Sequence, residues 1–198
     1  LSQGVIPVVT SSYEELLEQL HPDVVVDAIL AKKNLGTTRL DAPFVIGVGP
    51  GFSAGRDVNV VIETMRGHNL GRCIYDGEAE PNTGIPGNVG GYTHERVIHS
   101  PKAGLFTAKR HIGDEVQANE VIGYVDEEPV RAKITGTLRG ILKTGLIVSD
   151  HFKLADVDAR CEESHCYSIS DKSLAVGGGV LEAVTAWDYE RNKDGKHL

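Results

Sequence analysis

Residues 100–158 carry the same pattern twice. Shifted by 32 residues, and without a gap, SPKAGLFTAKRHIGDEVQANEVIGYVD (Ser100–Asp126) lies over AKITGTLRGILKTGLIVSDHFKLADVD (Ala132–Asp158). Gly104 falls on Gly136, Gly113 on Gly145, Val116 on Val148, Val125 on Val157 and Asp126 on Asp158; Phe106/Leu138 and Ile122/Leu154 are apolar pairs. The identities sit on turn glycines and strand residues, the positions that backbone geometry constrains most. Each copy reads as short strands with tight turns and is too small to bury its own apolar face. The two copies must therefore close on each other, which predicts a small β-sandwich with a pseudo-twofold axis.

That pattern resembles the barrel-sandwich hybrid of biotinyl and lipoyl domains. Such carriers hold a modified lysine at the hairpin tip between the halves. The tip here is Asp126-Glu127-Glu128-Pro129, and the nearest lysines are Lys109 and Lys133, the latter inside a strand pattern. No covalent biotin or lipoate is expected, and the module reads as structural or docking.

The first third reads as α/β. Val5–Val9, Val24–Ile29 and Phe44–Val48 are apolar runs, separated by a short helical stripe (Leu16, Leu17, Leu20) that Ser11 or Ser12 can cap and Pro22 stops. Unbroken runs between helix signals predict parallel strands buried on both faces. Residues 49–93 are rich in turns, with a helix expected over Asp57–Met65. Near the end, Ser170 or Asp171 can cap a helix carrying Leu174, Val180, Leu181 and Val184, and a polar tail follows Trp187. Gly177-Gly178-Gly179 would each cost such a helix about 1 kcal/mol relative to Ala. They either begin a second helix or mark a close backbone contact. The expected fold is α/β plus β: a partial Rossmann-like parallel sheet over 1–93, a barrel-sandwich hybrid over 94–160, and a C-terminal segment, 161–198, whose helix packs back on the α/β domain.

Composition narrows the class. Of 198 residues, 40% are hydrophobic and 24% charged, as in an ordinary globular chain. Net charge is −8, which argues against a nucleic-acid clamp. Three cysteines are too few for a disulfide scaffold and fit a reducing cytoplasm. No apolar run approaches the roughly 18 residues of a membrane span, and the start lacks a signal-peptide pattern. The only methionine is Met65, so an N-terminal part of the α/β domain is expected to be missing.

Several residue groups could carry chemistry. GVGPGF (Gly47–Phe52) follows a strand, where Gly49 and Gly51 could approach an anion or simply make a tight turn; it is not GxGxxG, because Pro50 removes a donor. Lys32, Lys33 and Asn34 follow a neighbouring strand and could hold a phosphate or carboxylate, or be solvated. Glu63, Arg66, His68 and Arg72 cluster around a glycine break, either as an anion clamp with His68 as acid or base, or as an ordinary basic helix end. Cys161, His165 and Cys166 have metal-ligand types but the wrong spacing for a zinc site. Cys166 would be nucleophilic at a helix N-terminus or beside Lys172, and otherwise a small buried hydrophobe. His21, His94, His99, His111, His151 and His197 form no ligand pattern and read as surface or satisfied polar groups.

PDVVVDAILAKKNLGTT, APFVIGVGPGFSAGRDV, VIETMRGHNLGR, PNTGIPG, GGYTHERV and SDKSLAVGGGVLEA occur in that order. Together they resemble the accessory-protein family of selenium-dependent molybdenum hydroxylases, often called YqeB, over about residues 4–187. The resemblance implies a cytoplasmic maturation factor with a molybdenum hydroxylase client. It would bind an anionic molybdopterin-type cofactor or a selenium donor through Lys32, Lys33, Asn34, Gly49, Gly51, Glu63, Arg66, Arg72 and Asn82 of the PNTGIPG motif, with Cys166, before the ISDK motif, and His68 as chemical groups. The family's Gly-rich Rossmann start has no counterpart in this sequence. Two other readings stay open: a nucleotide-dependent Rossmann-type enzyme, and a non-catalytic module that docks a client or a second copy. Whether the chain makes or breaks a bond is left open.

Overall fold

Two of the apolar runs of the first third, Val24–Asp27 (β1) and Phe44–Val48 (β2), pair side by side in parallel. A computed structural model describes residues 4–193 and divides them into two units. One is built from the chain up to Asn82 together with everything from Asp171; the other is Thr83–Ser170. The fold is mixed α/β, with several sheets and one long C-terminal helix. His197 and the last residues of the polar tail lie outside the described residues. No described helix is long and apolar enough to cross a membrane.

The first unit opens with helix α1 (Tyr13–Leu20). Ser12 caps it in a reciprocal box: its hydroxyl accepts from the Glu15 amide and the Glu15 carboxylate accepts from the Ser12 amide. His21, left-handed at φ 42°, ends it before Pro22. After β1 and β2 come β3 (Ser53–Ala54), β4 (Val60–Ile62), β5 (Cys73–Ile74) and β6 (Gly77–Glu78). The main sheet runs β1-β2-β4-β5, with the first three strands parallel and β5 antiparallel; β3 and β6 form a separate ribbon.

Two expectations are corrected here. Val5–Val9 is not a strand; it is irregular and exposed, with Val8 92% accessible. The third parallel strand is β4, inside the stretch expected to be a helix over Asp57–Met65. Val58, Val60, Val61 and Ile62 are all fully buried. A β-branched run buried on both faces suits a central strand and crowds a helix.

The sheet's two faces follow its period of two. Phe44, Ile46, Val48, Val60 and Ile62 face helix α2 (Asp171–Lys193), and Val45, Phe52, Val58 and Val61 fill the core on the other side. Trp187 of α2 stacks on Phe44 with ring centroids 5.3 Å apart. The triple glycine begins no second helix. It lies inside α2, and a Cβ on Gly179 would run into the Gly71 carbonyl.

The second unit holds β7 (Val97–His99), β8 (Gly104–Ala108), β9 (Glu115–Val116), β10 (Val121–Val125), β11 (Glu128–Arg131), β12 (Gly136–Ile141), β13 (Leu146–Val148) and β14 (Lys153–Asp158). The repeat extends to the topology. One sheet runs β11-β10-β8-β13 and the other β7-β14-β12-β9. Adding or subtracting 32 turns each order into the other, so each repeat lends two strands to the other's sheet. One irregularity matches as well: β10 slips its register between Val121 and Gly123 against β11, and β14 slips between Lys153 and Ala155 against β7. Phe106 and Leu138, Val116 and Val148, Ile122 and Leu154, and Val125 and Val157 meet in one core. Gly113 and Gly145 hold φ +98° and +93°, left-handed turns that glycine adopts without strain. A 3-10 turn, Glu163–Cys166, follows β14.

Two stability predictions follow from this packing. Gly178→Ala meets open space and should stabilise the protein by up to about 1 kcal/mol, whereas Gly179→Ala should destabilise it by several times that, as read by thermal or urea unfolding. Asp158, at the end of β14, is buried and accepts from the Arg160 guanidinium at 2.6 and 2.9 Å and from the Arg160 amide at 3.0 Å, with Arg139 at 3.5 Å. The Arg160 hydrogen bonds hold its carboxyl at about 2, below the usual 3.8. Because the folded value is depressed, this contribution is complete above about pH 4 and is lost as pH falls towards 2. Asp158→Asn should therefore lower stability at pH 7 by about 2 kcal/mol and flatten the acid limb of the stability curve.

Candidate functional site

Three parallel strands deliver their following loops to one edge of the first unit's sheet. After β1 comes Ala28–Asn34, after β2 Gly49-Pro50-Gly51, and after β4 Glu63–Arg66. Ligands of parallel α/β sheets bind at these carboxyl ends.

The chain turns sharply at each. Asp27, buried at the end of β1, accepts from the Ile29 amide (3.1 Å) and the Thr37 hydroxyl (2.7 Å), fixing both ends of the lysine loop. Asn34 is held within that loop: its side chain donates to the Thr37 carbonyl and accepts from the Gly36 amide, both at 2.8 Å. Lys32 is left-handed, φ 64°, and exposed, as is Lys33. Gly49 donates its amide to the Ile62 carbonyl at 2.9 Å. Gly51, at φ +111°, lets the two loops cross, since a Cβ there would lie 2.6 Å from the Lys33 Cα. Lys33 and Gly51 are thus brought together, backbone against backbone.

Glu63 is 2% exposed. Its carboxylate accepts from the Met65 amide (2.6 Å) and the Glu80 amide (2.8 Å), and its own amide donates to the Arg72 carbonyl (3.0 Å). Both carboxylate oxygens thus hold backbone in place. Arg66 forms a bidentate pair with Asp171 at 2.6 and 3.0 Å, which fixes the start of α2 beside the β4 loop. His68, Arg72 and Asn82 are exposed, and no described hydrogen bond or ion pair draws their side chains into this group.

The sequence reading did not count Lys172 among the ligand residues. It is half-buried in the first turn of α2. Burial lowers its pKa first, and the charges of Lys32 and Arg66 lower it further, with Glu63 opposing them. Lys32, Arg66, Lys172 and Glu63 therefore share one electrostatic neighbourhood. A signal existed: a lysine in the first helical turn opposes the helix dipole, an unfavourable place that an anion would relieve.

The cysteines separate. Cys166 ends the 3-10 turn in the second unit, where its thiol faces the Leu138 carbonyl at 3.8 Å. In sequence it precedes α2 by several residues and belongs to the other unit. Cys73 belongs to the first unit and donates to the Gly179 carbonyl at 3.2 Å, and burial pushes its thiol up. Cys161 turns to the Ala159 carbonyl. Among the described residues no three His, Cys, Asp or Glu side chains gather as a metal ion would need. Sequence patterning also gave no sign of an open cleft of about 620 Å³ at the opposite, amino ends of the strands, lined by Leu17, Asp23, Arg39, Leu40 and Asn59 among others.

No protein-family model matches the chain. It is 50% identical over 182 residues, 92% of its length, to a protein of Escherichia coli (strain K12) named uncharacterized protein YqeB, and it spans 34% of that protein. Two solved structures share parts of it. An aspartoacylase family protein from Mesorhizobium loti covers 32% of this chain and 23% of its own at 21% identity and a TM-score of 0.31. The ectoine utilization protein EutE (DoeB) from Ruegeria pomeroyi covers 42% and 27% at 17% identity and a TM-score of 0.29. At those scores neither likeness bears on fold or activity.

Glu63→Gln tests the loop scaffold. The amide replaces one acceptor with a donor facing a backbone N–H, so stability should fall by about 1–3 kcal/mol. Amide exchange at Met65 and Glu80 should accelerate while exchange in β8–β14 stays unchanged.

Proposed function

We propose that this YqeB-like chain is part of a cytoplasmic accessory factor for maturing selenium-dependent molybdenum hydroxylases, and that it binds an anionic ligand at the carboxyl ends of β1, β2 and β4. The observation that carries the reading is the gathering of Lys32, Arg66 and Lys172 at that edge, with the charged form of Lys172 destabilised first by burial and then by the charges of Lys32 and Arg66. An anion between them would offset that repulsion and complement the amino end of the 23-residue helix α2. The residues fit a phosphate-bearing group such as a molybdopterin-type cofactor, or an anionic selenium donor: the lysines supply charge, and the crossing at Gly51 fixes where the lysine loop stands. In this reading the parallel sheet is a partial Rossmann-like domain, and the two-repeat unit is a barrel-sandwich hybrid that lacks a tip lysine and docks rather than carries. A dinucleotide-dependent enzyme draws less support. Pro50 removes an amide donor from the turn after β2, and the Lys33 backbone packs against Gly51, so the turn itself offers a dinucleotide no Gly-rich cradle.

Titration calorimetry with inorganic pyrophosphate tests the site. Lys32→Ala combined with Lys172→Ala should weaken binding at least ~10-fold and leave the melting temperature nearly unchanged. In cells, the same pair should lower the selenium content of the client hydroxylase. Pyrophosphate affinity equal to that of the unaltered protein would remove the anion site from this edge.

A further inference from the structure

The internal repeat supplies a control inside one molecule. Positions 32 apart occupy equivalent places, so one end of the second unit can be compared with the other. At the first end, Arg131 donates to the Asn119 carbonyl at 2.9 Å, and Arg110 pairs with Glu120, whose carboxylate also accepts the Gln117 amide at 2.8 Å. This end satisfies its own charges. At the second end the equivalents of Arg131, Asn119 and Glu120 are His99, His151 and Phe152. The carboxylate has become an exposed phenylalanine, 46% accessible. The rings of His99 and His151 meet edge to face, 6.3 Å between centroids. Lys153 is the register partner of His99, and Lys133 stands where the other end has Pro101.

No carboxylate here stands in the place of Glu120, whose equivalent is Phe152. Burial, then the charges of Lys133, His151, Lys153 and His94, all disfavour a proton on His99. Two carboxylates are close. Asp150 accepts the His151 amide, and Asp156 is shared by Lys153 (3.0 Å) and Arg96. Among the described residues, neither forms an ion pair with His99, His151 or Lys133. Backbone geometry does not demand these side chains either. His151 is left-handed at φ 57° and its counterpart Asn119 at 69°, a conformation that asparagine adopts readily. In a chain of net charge −8, this surface carries two lysines, one of them paired with Asp156, beside two histidines and an exposed phenylalanine.

We infer that His99, Lys133, His151, Phe152 and Lys153 form a docking surface for an acidic segment of a partner protein, whose Asp or Glu side chains take the place that Glu120 holds at the other end. The surface lies on and beside β7, an edge strand of its sheet, where an extended segment has access. It involves none of the residues proposed to bind the anion in the first unit and does not rest on that reading.

The test is a titration of the isotope-labelled full chain with a hexaglutamate peptide, followed by NMR. Amide shifts should concentrate at His99, Lys133 and His151–Lys153. His151→Asn combined with Lys133→Gln should weaken binding at least ~5-fold; both positions are exposed, and asparagine suits the left-handed backbone. Lys32→Ala with Lys172→Ala should leave peptide affinity unchanged. The inference is overturned if the peptide causes no shifts, or if the shifts fall at Lys32 and Lys172 instead. It is also overturned if the double variant binds as tightly as the unaltered chain, or if free phosphate gives the same shifts at the same affinity.

Discussion

The first unit depends on the close approach of Gly179 to Gly71. The absence of a side chain at Gly179 lets α2 sit directly on the loop after β4. From there the helix covers Phe44, Ile46, Val48, Val60 and Ile62 with Val176, Val180, Ala183, Val184 and Trp187. The same approach sets the placement of the first half of α2. Its carbonyl at Gly179 receives the Cys73 thiol, and its first turn brings Asp171 to Arg66 and Lys172 into the field of Lys32. Packing and electrostatics are thus joined at one backbone contact. A bulky residue at 179 would displace the helix from the sheet and, with it, a cation from the candidate site.

Much of the second unit was legible from the repeat, because identity at turn glycines and buried pairs reports on geometry directly. The pairing of strands across repeats was not legible. A period in the sequence says that two units are alike, but not which edges they exchange. Nor was the extra residue in β12, where the register shifts between Leu138 and Gly140 and breaks the otherwise regular match. In the first unit, β1, β2 and the Ser12 cap were readable. Val5–Val9 and β4 were not, since a short apolar run carries no mark of which neighbour will cover it. Burial against both cores makes β4 a strand, and lack of a partner leaves Val5–Val9 irregular.

The candidate site was legible in its loops and less so in its roles. Lys32, Lys33, Gly49 and Gly51 do follow adjacent strand ends. Asn34 and Glu63 look like ligand residues in sequence, yet in the fold their side chains hold the loops themselves. Polar side chains near a site are recruited first by unsatisfied backbone, and spacing alone does not separate the two uses. Sequence spacing does not place Lys172 beside these loops, because it lies more than a hundred residues from the strands it approaches.

The order of segments also shapes how the chain reaches this structure. The first unit is interrupted between Asn82 and Asp171 by the 88 residues of the second. Closing an unstructured loop of that length costs about 4 kcal/mol of chain entropy. The second unit's strands, by contrast, pair mostly within a span of about 60 residues. Forming it early would replace a long floppy tether with a folded one before α2 docks. Synthesis from the ribosome imposes the same order: β1, β2 and β4 emerge before the second unit and must wait, with one face uncovered, until α2 follows it. The sheet's exposure to misassembly is therefore set by how fast the inserted repeats fold.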